Sequence, residues 1–125
     1  MKWILFLAAC IWLGAVGCQK SEQTAQQTGA PPPTAYAQAA EVFAKHCVMC
    51  HSGAKPKAGL DLTSYQKIMA GTRIGPAVEP GNPDGSLIIR AIKGEGVKKM
   101  PPKGEPVSAE ELAIISNWIK SGAKS

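Results

Sequence analysis

Apolar side chains are distributed unevenly along this chain, and their spacing divides it into three parts. Residues 3–16, "WILFLAACIWLGAV", form one continuous apolar run behind Lys2, the pattern of an export signal. The run is too short for a comfortable membrane span, which needs about 20 apolar residues. Residues 19–33, "QKSEQTAQQTGAPPP", contain no large apolar side chain. Such a stretch cannot bury enough surface to offset its ordering entropy, so it reads as a tether, spanning roughly 20 Å if flexible. From Thr34 onward, apolar positions return at 3–4 spacing.

Four helices follow from that spacing and from the residues at its ends. Thr34 caps a first helix to about residue 46, with Tyr36, Ala39, Ala40, Phe43 and Cys47 along one side. Thr63 with Gln66 reads as a capping box for a short helix that stops at Gly71. Asn82-Pro83 predicts the start of a third, carrying Leu87, Ile88 and Ile92 to Gly94. The last is the best signalled. Ser108 and Glu111 form a capping box, Val107 and Leu112 a hydrophobic staple, and Gly122 the stop. No segment alternates with period 2, so the expected class is all-α. Loops rich in Gly and Pro, at 71–83 and 94–106, separate the helices. So few large aliphatic side chains make a thin core, and domains this small often rely on a metal or cofactor.

Candidate chemistry concentrates at residues 46–51, "HCVMCH". A zinc reading would crowd Cys47, Cys50, His51 and His46 into one turn, whereas structural zinc sites join ligand pairs from separate segments. A redox dithiol needs a βαβ setting for its C-x-x-C, which a helical pattern does not provide. The third reading uses every part of the motif. In C-x-x-C-H the thiols of Cys47 and Cys50 attach a haem covalently, and the imidazole of His51 reaches its iron. His46 is expected at the surface.

Residues 15–18, Ala-Val-Gly-Cys, resemble the lipobox of bacterial lipoproteins. The resemblance implies cleavage of a signal peptide, residues 1–17, and lipid on Cys18. Cutting before Cys10 instead would leave too short an apolar core for a signal. Cys10 then leaves with the signal, and no thiol remains for a wider disulfide framework. Without Lys2, 13 basic residues stand against 9 acidic, a charge of +4. An exported chain meets no nucleic acid, so this excess suits an acidic protein partner.

From about Thr34 to the end, the chain resembles the class I c-type cytochromes, which implies a small all-α shell around one covalent haem c. Phe43, four residues before Cys47, matches the family's packing aromatic. "GLDL", "PGNPDGSLIIR" and "MPPKGEPVSAEELAIISNWIKSGA" resemble its planctomycete-type subgroup. The expected domain is 34–125, behind a lipidated tether at 18–33. Of three methionines left after export, Met49 sits within the attachment loop on the proximal side. Met69 falls in the short second helix, where filling space against the haem wall is its expected role. Met100 lies in a loop that Pro101 and Pro102 hold extended, where the family takes its distal ligand. A His51/Met100 pair would fill both axial positions and favour ferrous iron. Trp118 is expected to pack against haem or Phe43, or to serve the helix crossing. Lys98, Lys99 and Lys103 flank Met100 and are candidates for docking, as are Lys55 and Lys57. Pro56, Pro76 and Pro80 are candidates to orient His51 through a carbonyl, with none assigned.

These readings converge on a lipid-anchored electron carrier at the periplasmic or outer face of a cell membrane. It would act as a monomer or complex subunit, passing single electrons to an acidic redox protein or membrane oxidoreductase. Two rivals remain: a haem protein with an open or labile sixth site, peroxidase-like or ligand-sensing, and a fixed subunit of a larger oxidoreductase.

Overall fold

Thr34 begins the first helix as its sequence predicts, its hydroxyl accepting the Ala37 N–H at 3.1 Å. The computed structural model describes residues 33–125; the signal, Cys18 and the tether up to residue 32 lie outside them. Helix α1 runs Ala35–His46, with Lys45 and His46 in its last turn, where positive charge complements the helix dipole. Helices α2 (Tyr65–Ala70), α3 (Leu87–Lys93) and α4 (Ala109–Lys120) follow, with a 3₁₀ turn at Lys57–Gly59. Among the described residues there is no strand, only an isolated bridge between Thr72 and Gly75. The all-α expectation holds. No helix among these residues is long and apolar enough to cross a membrane.

Two of the four helix starts differ from expectation. Thr63 does not cap α2, because its N–H and hydroxyl both donate to Asp61 Oδ1, at 2.9 and 2.6 Å. Ser64 caps instead, accepting from the Lys67 N–H at 3.4 Å. The third helix begins at Leu87, four residues beyond Pro83. Asn82 organises a turn: its Oδ1 accepts the Gly85 N–H at 3.0 Å and its carbonyl accepts the Ser86 hydroxyl at 2.8 Å. Asn-Pro-Asp-Gly has turn chemistry as well as cap chemistry, and the turn wins. At the other end, Gly94 takes a left-handed conformation and donates its N–H to Ala91, as a helix-stopping glycine does.

Helix α1 packs on α4, and α3 on α4. Phe43 and Trp118 are fully buried where α1 meets α4, edge-to-face with centroids 6.0 Å apart. Tyr36 continues this aromatic set, 5.7 Å from Trp118 and 5.4 Å from Tyr65. The indole N–H of Trp118 donates to the Lys124 carbonyl at 2.8 Å, so the buried ring leaves no polar atom unpaired. Ile68, Ile89, Ile115 and Ile119 complete the dry core. The capping box at Ser108 and Glu111 forms as expected, and Val107 and Leu112 both lie against the core.

Candidate functional site

The chain leaves α1 at Cys47, whose N–H still donates to Phe43 at 2.9 Å. A tight turn follows, with the N–H groups of Cys50 and His51 both donating to the Cys47 carbonyl, at 3.1 and 3.0 Å. That turn presents Cys47, Cys50 and His51 to one cleft. Its volume is about 940 Å³, and Cys47, Cys50, His51 and Met100 all line it. Large cofactors occupy apolar clefts of up to about 1,000 Å³. Leu60, Leu62, Ala77, Ile88 and Ile92 provide its apolar wall. Ile88, Ala91 and Ile92 recur at helical spacing on one side of α3, while Ile89 turns into the core. At the mouth, Met49 and Ile74 are 95% and 89% exposed.

His51 is oriented by the backbone. Its Nδ1–H donates to the Leu60 carbonyl at 3.2 Å, which leaves Nε2 with its lone pair for a metal. The Leu62 N–H returns a bond to the His51 carbonyl at 2.8 Å, pinning residues 60–62 beside the attachment turn. The three prolines considered for this role are therefore displaced by Leu60. A backbone acceptor has no side-chain signature, so no sequence signal marks it.

Cys47 and Cys50 are free thiols. Cys47 is half-buried, and burial pushes its thiol up to about 11, so it does not share the lowered values of reactive cysteines. Nor do three His, Cys, Asp or Glu side chains converge as a metal-holding group among the described residues. The donor set suits a haem instead: two thiols, one imidazole with a free Nε2 and one thioether, around an apolar volume of fitting size.

The other candidates divide. Lys98 and Lys103 line the cleft, with Lys57 on the rim, and none of the three makes an ion pair among the described residues. Lys99 and Lys55 are exposed and do not line it. Phe43 and Trp118 meet each other in the helix crossing, and Met69 lies against that core half-buried; none of them is among the lining residues.

His46 departs from its expected surface position. Its side chain is only 3% exposed. Its Nε2 meets Glu111 Oε2 at 2.9 Å, and its Nδ1–H donates to the Glu105 carbonyl at 3.2 Å. Glu111 also receives Lys45 at 2.9 Å and the Ser108 N–H at 2.9 Å. The Ser108 N–H, then Lys45, then His46 hold its carboxyl down to about 2. Sequence spacing identifies Glu111 as a cap and gives no sign of these long-range partners.

No curated protein and no solved structure matches the chain. Residues 47–104 match a family model described as Planctomycete cytochrome C. That segment begins at Cys47 and ends beyond Met100, so it contains the four residues gathered at the cleft. Over that segment the all-α chain is similar to the planctomycete-type cytochromes c, a likeness that supports a haem-binding electron-transfer protein.

Proposed function

We propose that this protein is a lipid-anchored monohaem electron carrier with His51 and Met100 as axial ligands. The observation that carries the reading is the convergence of Cys47, Cys50, His51 and Met100 on one apolar cleft, with His51 Nδ1 committed to Leu60. When bound, haem c supplies a one-electron ferric/ferrous couple. The protein's own residues do the rest. Cys47 and Cys50 hold the group covalently, which prevents its loss outside the cell. His51 keeps one tautomer through the carbonyl of Leu60, so that Nε2 would hold the iron, and the thioether of Met100 would hold it as well and exclude small molecules. The apolar wall keeps water out, so little rearranges when an electron passes.

Lys57, Lys98 and Lys103 stand at the mouth, where they would attract an acidic partner and set its approach. Lipid on Cys18, with the tether at 18–33, would hold domain 34–125 near its donor and acceptor and raise their effective concentration. The carrier therefore does no chemistry beyond electron exchange. Adding carbon monoxide to the reduced, haem-loaded protein tests the axial assignment. An unchanged visible spectrum is expected, because both positions are filled. A rapid shift to a carbonyl spectrum would replace this reading with a haem protein open at its sixth site. Cys18→Ser is expected to move the protein from the membrane to the soluble fraction; retention at the membrane would remove the lipid anchor.

A further inference from the structure

Helix α3 holds Met100 from one side, its N–H donating to the Ala91 carbonyl at 2.8 Å. Beyond Met100 the chain runs seven residues, 101–107, before Ser108 caps α4. Among the described residues, that stretch makes one hydrogen bond with the rest of the domain: the His46 Nδ1–H to the Glu105 carbonyl at 3.2 Å. The ring making it is almost fully buried and itself lines the cleft. Its other nitrogen is fixed at 2.9 Å by Glu111, an anion that the Ser108 N–H and Lys45 anchor at the start of α4. Both ring nitrogens thus face oxygen atoms, one of Glu105 and one of Glu111. The arrangement joins the end of α1, the start of α4 and the segment carrying Met100 through one side chain.

We infer that His46 is a positioning residue for axial ligation, clasping the 101–107 segment so that Met100 stays over the cleft. This rests on Met100 being the sixth ligand. A thioether binds iron weakly enough that the loop's own conformational freedom competes with it. Removing the clasp leaves the segment with only the 4.0 Å ion pair between Glu105 and Lys45 and the packing of Val107 against the core, and lowers the fraction of time that Met100 spends in place. The side chain therefore controls how easily an outside ligand displaces the methionine.

The test is the affinity of the ferric, haem-loaded full chain for imidazole, which competes with Met100. His46→Phe keeps a ring of similar size and removes both nitrogens. It is expected to bind imidazole about ten-fold more tightly than the unchanged protein, the factor that one lost hydrogen bond represents. His46→Gln retains a donor and should fall between the two. Ser108→Ala removes the side-chain cap of α4 while leaving His46 in place, and should bind imidazole as the unchanged protein does.

Affinities of His46→Phe and His46→Gln within about two-fold of the unchanged protein would overturn the clasp. So would equal tightening in Ser108→Ala, since that would mark general loosening of α4. If His46→Phe fails to assemble, His46→Gln against Ser108→Ala decides by the same threshold. Carbon monoxide binding by the unchanged ferrous protein would instead overturn Met100 ligation itself, a result independent of any difference among the variants.

Discussion

The crossing of α1 and α4 and the cleft beside α3 are both built from apolar side chains, yet they are finished differently. At the crossing, Phe43, Trp118, Ile115 and Ile119 are fully covered by one another and their neighbours. At the cleft, Met49 and Ile74 stand almost fully exposed while Leu60, Leu62 and Ile92 form the wall behind. The first region is held by helices and closes on itself. The second is held by loops, with a few backbone bonds and one histidine keeping them in place. A domain of this size can therefore separate its tasks: the crossing supplies rigidity, and the cleft supplies chemistry.

The largest effect should come from breaking the crossing. Trp118→Ala removes its largest fully buried side chain and is expected to cost about 3–5 kcal/mol. That is much of the roughly 5–15 kcal/mol available to a small domain. Denaturant unfolding should show the loss, and haem loading should fall with it.

The cleft should respond in the opposite way. Met100→Ala is expected to leave most stability intact, at a cost below about 2 kcal/mol, while the ferrous protein becomes competent to bind carbon monoxide. If the two variants produced the same loss of stability, the division between the regions would fail.

An effect smaller than that at Trp118 is expected at Gly71, which neighbours the cleft-lining Thr72, has φ of 80° and would place a Cβ 2.7 Å from the Gly75 carbonyl oxygen. Gly71→Ala should cost about 1–3 kcal/mol, measured by thermal unfolding. Ser108→Ala should cost about 1 kcal/mol through loss of the α4 cap. The smallest effect is an acid one. Glu111 is held near 2, below its ordinary 4.5, so its stabilising effect is complete above the ordinary value. It is lost as pH falls from about 4.5 towards 2, when the carboxyl takes up a proton. Glu111→Gln should flatten the fall of melting temperature across that window.

The crossing was far more legible in the sequence than the cleft. Helix α1 with its Thr34 cap, and α4 with Ser108 and Glu111, follow from local spacing, because capping and amphipathic packing act within a few residues. The C-x-x-C-H motif is equally local: Cys47, Cys50 and His51 fall within five positions. What the sequence left unmarked depends on groups distant along the chain or on the backbone. His46 reaches residues about sixty positions away, and no local pattern distinguishes it from a solvated histidine. Asn82-Pro83 shows a different failure, since one pair of residues serves two local structures and only the neighbouring Gly85 and Ser86 decide between them.

The bond from His51 to Leu60 sets a constraint of another kind. Every amino acid carries a carbonyl, so no single replacement at position 60 can delete the acceptor. Chain length can. Removing or adding one residue between 52 and 59 would shift the register of the returning strand of backbone and leave the imidazole facing a different group. The bond that orients His51 is thus indifferent to which side chain stands at position 60 and sensitive to changes in spacing. A library of insertions and deletions across 52–59 would register that sensitivity where a scan of point variants would pass over it.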